Sequence, residues 1–226
     1  LNIWRNAGMN KKVKNISIKE ENGLAVVNVV FSLPDVNTDY NLTYTVQPDG
    51  SLTINADWST DRSDLPEMMR FGMSFVLPGE YDDFTWYGRG PLENYQDRNT
   101  ATFMGQYSGK VADQFYPYIR PQENGNKTDV RWATLTNSNG SGLRIEGAQP
   151  LNVTALDVQI SDLDPGTSKH QQHNSDVHHS GWRTYLNVDL VQRGLGGDNS
   201  WGARPHEPYQ LKDKAYSYSF TLSPIR

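Results

Sequence analysis

Cysteine is absent from the 226 residues, which excludes disulfide bonds, thiolate nucleophiles and cysteine-based zinc sites. Long apolar runs are absent as well, so no segment is predicted to span a membrane. The start of the chain, LNIWRNAGMNKK, lacks the apolar core of a signal peptide, and it leads us to expect a chain cut from a longer protein. These absences leave the compartment open.

Positive charge is also scarce. The formal net charge is −5 and the pI is near 5.5, and basic residues are concentrated only in the short KKVK run at residues 11–14. Proteins that bind nucleic acid carry an extended basic surface, because they must neutralise phosphates. We therefore expect neither a nucleic-acid partner nor a membrane partner.

Helical periodicity is weak, and the chain instead shows short apolar runs bounded by Gly, Pro, Asn and Asp. The clearest, YNLTYTVQPDGSLTINADW, predicts a β-hairpin over residues 40–58 with its turn at Pro48-Asp49-Gly50. Helical turns are expected only near residues 151–156 or 170–179. The predicted class is all-β, in a single domain over residues 1–226. Further strands are predicted at residues 24–31, 69–77, 132–135, 142–145, 186–190 and 216–222.

Aromatic residues are more abundant than the low apolar content suggests. Only 36% of the residues are hydrophobic, yet six Trp and twelve Tyr help to bring the aromatic share to 11%. An aromatic face packs on the C–H groups of a sugar ring, while indole N–H and phenol O–H groups bond its hydroxyls. The excess suits a carbohydrate-binding protein, although each aromatic taken singly more often fills a β-sandwich core.

Three segments differ from ordinary strands and turns: WYGRGPLENYQDR at residues 86–98, YPYIRPQENGNKTDVRW at 116–132 and GLGGDNSWG at 194–202. The first two combine turn-forming residues with opposite charges, so each is either a functional loop or a loop braced by its own ion pairs. Their charged residues are Arg89, Glu93, Asp97 and Arg98 in the first segment, and Arg120, Glu123, Asp129 and Arg131 in the second.

The third segment carries Trp201 on a polar, glycine-rich loop. The glycines permit positive φ angles and close backbone approach, and Asp198 and Asn199 can accept hydrogen bonds from neighbouring N–H groups. Trp201 is then either a braced stacking platform or a lid folded back on the sandwich. The residues alone leave both alternatives open.

In this order and at these separations, WYGRGPLENYQDR, PYIRPQENGNKTDVRW and LNVDLVQRGLGGDNSWG resemble the C-terminal small-chain domain, domain 5, of bacterial β-galactosidases of glycoside hydrolase family 2. The resemblance is best over residues 65–211. The first 60 residues resemble the opening strands of that domain more loosely, and residues 1–12 are expected to be a residual linker or a first strand.

The resemblance implies an antiparallel super-sandwich like that of galactose mutarotase, forming the last domain of a retaining enzyme that hydrolyses terminal β-galactosides such as lactose. It also implies that Trp201 reaches over the active-site mouth of the neighbouring catalytic barrel and binds the substrate on its leaving-group side. Asp198 and Asn199 are expected at the same substrate site, as supports of the Trp201 loop. The parent enzyme is expected to be a homo-oligomer of the bacterial cytoplasm or periplasm. Its Mg²⁺ and Na⁺ ions are expected mostly in other domains, with no cofactor or metal in this chain.

No catalytic residue is predicted in this chain. Retaining glycosidases need two carboxyl groups about 5 to 5.5 Å apart, one as acid and one as nucleophile. Glu93 and Glu123 lie in the charged segments, but their neighbouring arginines are expected to lower the pKa of each, the wrong direction for a general acid. The isolated chain is therefore expected to be inactive.

Four histidines lie close together in the sequence: His170, His173, His178 and His179, with Asp176 between them. A zinc site needs three or four such ligands within tetrahedral reach, which a helical segment would provide. A solvated polar stretch without metal is the alternative, and it is the one that we adopt.

Two other functions fit parts of the sequence. A free-standing carbohydrate-binding module would use Trp201 without a barrel. A mutarotase-like epimerase would need an acid and a base on opposite sides of a sugar ring, with His173 or His179 and Glu146 as candidates. If the chain instead docks on a barrel, the docking face should be an exposed apolar patch on the isolated chain.

Overall fold

Alternating apolar and polar residues give an all-β structure, and the computed structural model describes residues 1–164, 172–199 and 201–226. One short helix, α1 (Ile3–Ala7), comes first, and no helix in these ranges is long and apolar enough to cross a membrane. Single 3₁₀ turns lie at Ala112–Gln114, Ile160–Leu163, Asn174–Asp176 and Glu207–Tyr209. The strands are β1 (Lys12–Glu21), β2 (Leu24–Leu33), β3 (Thr38–Val46), β4 (Leu52–Ser59), β5 (Arg70–Pro78), β6 (Asp83–Gly90), β7 (Phe103–Lys110), β8 (Lys127–Thr136), β9 (Gly142–Leu156), β10 (Arg183–Gln192) and β11 (Ala215–Ile225).

Strand β9 joins two layers of one antiparallel sheet. Hydrogen bonding runs in the order β1-β2-β3-β4-β11-β9-β8-β6-β7, and β10 pairs with both β9 and β5. Residues 142–147 of β9 lie beside β11, whereas residues 152–156 lie beside β10. The sheet therefore folds over along β9, with β11, β4, β3, β2 and β1 on one side and β10 and β5 on the other.

Aromatic side chains fill the space between these two sides. The ring of Phe71 in β5 lies 5.5 Å from Tyr216 and 5.7 Å from Tyr218 in β11, and 5.9 Å from Tyr40 in β3. Tyr218 also donates a hydrogen bond to the carbonyl of Val188 in β10 at 3.0 Å. These contacts place β10 and β5 over β11, β4 and β3.

The all-β antiparallel class is confirmed, and the predicted hairpin is present as β3 and β4, with Tyr40 opposite Trp58. The six other predicted strands also lie in β2, β5, β8, β9, β10 and β11. The prediction of helical turns at residues 151–156 was wrong, because they form the second half of β9. Leu151, Val153 and Ala155 alternate with polar Asn152 and Thr154, as in a strand, and pairing with β8 and β10 holds this half extended.

Three strands and one helix were not predicted from the sequence. Strand β1 is exposed along its whole length, and β6 and β7 are interrupted by glycines. Residues 3–7 form α1, whose Trp4 packs edge-on against Trp58 at 5.7 Å and donates a hydrogen bond to the carbonyl of Pro66 at 2.9 Å. Of the predicted turn at residues 170–179, Asn174–Asp176 is a 3₁₀ turn, while His170 lies outside the described residues.

Gly147 lies where β9 passes from one layer to the other. A Cβ atom here would lie 2.2 Å from the carbonyl oxygen of Gln149 and 2.7 Å from Cγ of Leu151. Because backbone cannot move aside freely, we expect Gly147→Ala to lower the free energy of unfolding by about 1–3 kcal/mol, measured by urea denaturation.

Gly181 provides the matched control, since a Cβ atom there would meet nothing within 4 Å. We expect Gly181→Ala to change the free energy of unfolding by less than about 0.5 kcal/mol. Equal effects of the two substitutions would contradict the close approach at Gly147.

Candidate functional site

The three unusual segments of the sequence meet at one end of the sheet. Residues 86–98 include the end of β6, residues 116–132 lead into β8, and residues 194–202 follow β10. Strand β6 pairs with β8, and β9 lies between β8 and β10, so the topology brings the three segments together. The contacts between their side chains then fix their relative positions.

Two buried asparagines join the first two segments. The side-chain amide of Asn126 donates to the carbonyl of Asn94 at 2.8 Å, and the backbone N–H of Asn94 donates to the carbonyl of Asn126 at 2.8 Å. The side-chain oxygen of Asn94 also accepts hydrogen bonds from the N–H and the hydroxyl of Thr128. Irregular backbone can be buried here because these amides satisfy its polar groups.

Glu93 provides a second link between the same segments. Its Oε2 accepts a hydrogen bond from the backbone N–H of Gly125 at 2.6 Å, and its Oε1 contacts Arg98 at 2.6 Å and accepts the hydroxyl proton of Tyr118. Arg89 makes a third link through Asp129, at 2.6 Å. Glu93 and Arg89 of the first segment thus each bind a residue of the second segment.

Glu123 differs from the sequence-based expectation. Burial raises its pKa, and the nearby Arg70 guanidinium, 3.6 Å away, offsets this only in part. The prediction of a lowered pKa was therefore wrong, because the cost of desolvating the carboxylate exceeds the benefit of the ion pair. Arg70 makes its closer contact with buried Asp189 of β10, at 2.5 Å.

Lys127 belongs to the second segment and is buried at the start of β8. Its ammonium lies 5.0 Å from the centre of the Trp86 ring, a cation–π arrangement. Burial lowers the pKa of Lys127 to about 8, and the nearby carboxylate of Glu93 partly opposes this shift. Sequence reasoning did not single out Lys127, because a lysine in a polar segment normally lies in solvent.

The third segment is anchored to the first by Asp97. Its Oδ2 accepts a hydrogen bond from the backbone N–H of Gly196 at 2.7 Å. Nearby, the side chain of Gln96 and the N–H of Gly194 both donate to the carbonyl of Tyr209, at 3.0 and 2.9 Å. The base of the Trp201 loop is therefore held by side chains about a hundred residues earlier in the chain.

The tip of the loop is closed on itself. A Cβ atom on Gly197 would lie 2.3 Å from the carbonyl oxygen of Ala203, so the two limbs touch there. Asn199 Oδ1 accepts the N–H of Trp201 at 2.8 Å, and Asp198 Oδ1 lies 2.8 Å from Nε2 of His206. These contacts brace both sides of the tip.

Trp201 itself is 93% exposed, which excludes the alternative that it folds back as a lid on the sandwich. Its indole is presented to solvent from a loop whose base and tip are both hydrogen-bonded. That Trp201, Asp198 and Asn199 bind a substrate stays a prediction.

Besides Trp201, exposed apolar side chains lie on the first and second segments. Leu92 precedes Glu93 and Ile119 follows Tyr118 in the chain, Glu93 and Tyr118 are hydrogen-bonded, and the ring of exposed Tyr116 lies 4.7 Å from that of Tyr118. We call Leu92, Tyr116, Ile119 and Trp201 the apolar rim. A rim of this kind marks a surface for association rather than for solvent.

The histidines do not assemble a metal site among the described residues, where no group of three His, Cys, Asp or Glu side chains is suitably placed. Nδ1 of His179 lies 3.1 Å from both carboxylate oxygens of Asp157, and the N–H of His173 donates to Asp176. The mutarotase-type candidates have separate partners, since Glu146 pairs with Arg144 at 3.1 Å. His170 is not among the described residues.

Comparison with known proteins is unambiguous at the level of sequence. The family model described as beta galactosidase small chain matches residues 1–222. Curated proteins named beta-galactosidase are 35% identical over 98% of this chain in Priestia megaterium and 32% identical over 99% in Halalkalibacterium halodurans. A third, from Lactobacillus delbrueckii subsp. bulgaricus, is 31% identical over 98%. The chain spans only about a fifth of their length: 21%, 22% and 21%.

Solved structures show weaker likenesses. The GH36 alpha-galactosidase AgaA from Geobacillus stearothermophilus matches 96% of this chain and 28% of its own at 10% identity, with a TM-score of 0.47. A GalM/aldose epimerase homologue from C. elegans matches 94% of this chain and 69% of its own at 11% identity, with a TM-score of 0.41. Likenesses at this level identify no function.

Asp97 is expected to hold the Trp201 loop in place. Asp97→Ala leaves the N–H of Gly196 without its acceptor, so we expect hydrogen exchange at the Gly196 amide to become about tenfold faster or more, equivalent to about 1.4 kcal/mol. Exchange would be followed by NMR, with the exposed Asp61→Ala as control. An unchanged rate in Asp97→Ala would show that other contacts hold the loop.

Lys127 is expected to make stability depend on pH. The unfolded chain keeps the lysine proton to about pH 10.4, whereas the folded protein releases it near pH 8, so the free energy of unfolding should rise between these values. We expect a rise of about 1–3 kcal/mol in urea denaturation between pH 7.5 and 9.5. Lys127→Met should remove this rise, and the exposed control Lys12→Met should retain it. Equal slopes in both variants would contradict the assignment.

Proposed function

This chain belongs to the β-galactosidase small-chain family, and from this premise we propose that it is the C-terminal domain of a retaining enzyme that hydrolyses terminal β-galactosides. The chain spans about a fifth of its curated relatives, which leaves ample length for a separate catalytic barrel. In this proposal the barrel supplies the acid and the nucleophile, and this chain completes the mouth of the active site.

The observation that supports this role is the exposure of Trp201 on a braced loop. Burying a large apolar side chain in solvent-free contact is favourable by about 1.5–3 kcal/mol, so an indole held in water is normally avoided unless a partner covers it. A sugar offers its C–H face to such a ring. We assign Trp201 to the leaving-group side of the galactoside, with Asp198 and Asn199 holding the loop.

The apolar rim is the surface that we assign to contact with the barrel. Leu92, Tyr116 and Ile119 are exposed on the first two segments, and Asp97 of the first segment bonds the base of the Trp201 loop. Covering them with a neighbouring domain would remove apolar area from water and place the indole at the domain boundary. The galactoside would then lie between the barrel and Trp201.

The hydrogen bonds made by the carboxylates of this site support a structural role for these side chains. Glu93 is bonded to Arg98, Tyr118 and a backbone N–H, and Asp97 is bonded to the loop backbone. A general acid must be able to give its proton to the leaving oxygen, and a nucleophile must reach the anomeric carbon. We therefore propose that the isolated chain does not hydrolyse galactosides, and that the metal ions of the parent enzyme are held outside this chain.

A free-standing carbohydrate-binding module is the second candidate, favoured by one observation. The anchors of the Trp201 loop, Asp97 and Asn199, both belong to this chain, so the loop does not need a barrel to be braced. The two candidates differ in whether sugar binds to the chain alone.

Substitution of Trp201 in the full-length enzyme tests the main proposal. We expect Trp201→Ala to lower kcat/KM for lactose by about tenfold or more, which corresponds to about 1.4 kcal/mol of lost stacking, and Trp201→Phe to retain most of it. Trp182→Ala is the matched control, because that indole is also exposed, at 64%, but has Arg183 stacked on its ring at 3.8 Å. Equal losses in Trp201→Ala and Trp182→Ala would exclude the assignment.

Proton NMR of the isolated chain with lactose and fresh α-galactose separates the remaining candidates. The expected result is neither cleavage nor faster anomer exchange. Cleavage would place the catalytic carboxylates in this chain, and faster exchange would favour an epimerase. Sugar line broadening that disappears in Trp201→Ala would favour the binding module.

A further inference from the structure

The two layers of the sheet are unequal in width. Beyond β9, one layer continues through β11, β4 and β3 to β2 and β1, whereas the other continues only through β10 to β5. The ring of Phe71 in β5 contacts Tyr40 of β3, and Tyr218 of β11 bonds β10. The strand order β10-β5 in one layer therefore runs parallel to the order β11-β4-β3 in the other. The position beyond the free edge of β5 lies over β2 and β1.

The inner face of β1 is apolar but uncovered, whereas Val29 on the same face of β2 is buried, at 8% exposed. Ile16 and Ile18 lie opposite Val29 and Val27 in the strand register, in line with the core residues of β3 and β4. Yet Ile16 is 54% exposed and Ile18 is 73% exposed. An alternating strand of this kind is built to be buried on one face, so this face is unpartnered in the chain alone.

Strand β5 borders this face with an open edge. Among the described strands β5 pairs with β10 alone, so alternate N–H and C=O groups along its other edge have no strand partner. Its side chains Met73 and Phe75 point into the core, whereas Val76 is exposed on the outer face. We call the open edge of β5 together with Ile16, Ile18 and Val27 the recess.

The open strand edge and the apolar floor of the recess indicate which kind of segment would bind there. A row of backbone donors and acceptors beside an apolar floor is matched by an extended strand, whose backbone pairs with the edge while alternate side chains cover the floor. A helix satisfies its own backbone and would leave the edge unpaired. The occupant is therefore an extended polypeptide with apolar residues at every second position.

We propose that an extended segment of the parent protein, outside the present 226 residues, pairs with the edge of β5 and covers Ile16 and Ile18. This rests on the proposed function, in which the chain is part of a longer enzyme. The relatives carry about four-fifths of their length outside the matching region, which provides the segment. A segment tethered to the same chain also binds at high effective concentration.

Hydrogen exchange of the full-length protein encoded by the native gene tests the proposal. Peptides covering Arg70–Pro78 are compared by mass spectrometry between the full-length protein and this chain alone, each measured at two concentrations. We expect exchange at alternate β5 amides to be at least about tenfold slower in the full-length protein at both concentrations. Equal exchange in the two proteins would overturn the proposal. Protection in the isolated chain that grows with its concentration would also overturn it, because a second copy would then be the occupant.

Two neighbouring substitutions localise the effect. Ile18→Asp places a charge on the floor of the recess, whereas Ser17→Asp places the same charge on the opposite face of β1. Both sites are exposed in the isolated chain, so neither should shift its melting temperature by more than about 2 °C. In the full-length protein, Ile18→Asp should abolish the protection of β5 and Ser17→Asp should not. Equal protection in both variants would overturn the assignment of the floor.

An assay of lactose hydrolysis on the same full-length protein keeps the two proposals distinguishable. Hydrolysis without protection of β5 would overturn the occupied recess and leave the proposed function intact. Protection of β5 without hydrolysis would support the recess and overturn the β-galactosidase assignment.

Discussion

The exchange of hydrogen bonds between Asn94 and Asn126 is the interaction on which the candidate site depends. Both asparagines are buried in irregular parts of the first two segments, and irregular backbone in a protein interior must find partners for its N–H and C=O groups. Asn126 also accepts a hydrogen bond from Gln192 at the end of β10, so the same amide reaches the strand that leads to the Trp201 loop. One side chain thus links the first two segments to the strand that precedes the third.

Much of the fold could be predicted because half-exposed strands alternate visibly. The hairpin of β3 and β4 has polar residues facing out and a tight turn between them, and both signals are local. The second half of β9 was predicted wrongly although Leu151, Val153 and Ala155 alternate with polar residues, because so short a run does not separate a strand from a helical turn, and pairing with β8 and β10 decides it. Strand β1 was not predicted, because lysines and glutamates surround its short alternation at Ile16 and Ile18.

The site was predictable in composition but not in its contacts. The glycines, Asp198, Asn199 and Trp201 mark the loop in the sequence, and local rules explain the bond from Trp201 N–H to Asn199. The hydrogen bond between Asp97 and Gly196 joins residues 99 positions apart, and no local sequence pattern predicts it. The raised pKa of Glu123 and the lowered pKa of Lys127 depend on burial, which only the assembled fold determines.

The closed tip of the Trp201 loop has an evolutionary consequence. Its limbs meet at Gly197 and Ala203, and its base is bonded to Asp97, so the residues between can be replaced without disturbing the sheet beneath. A tip of this kind behaves as an exchangeable cassette: its length and its aromatic residue can diverge while the scaffold is retained. Under the proposed role of Trp201, grafting tips between relatives would alter the preference among leaving groups.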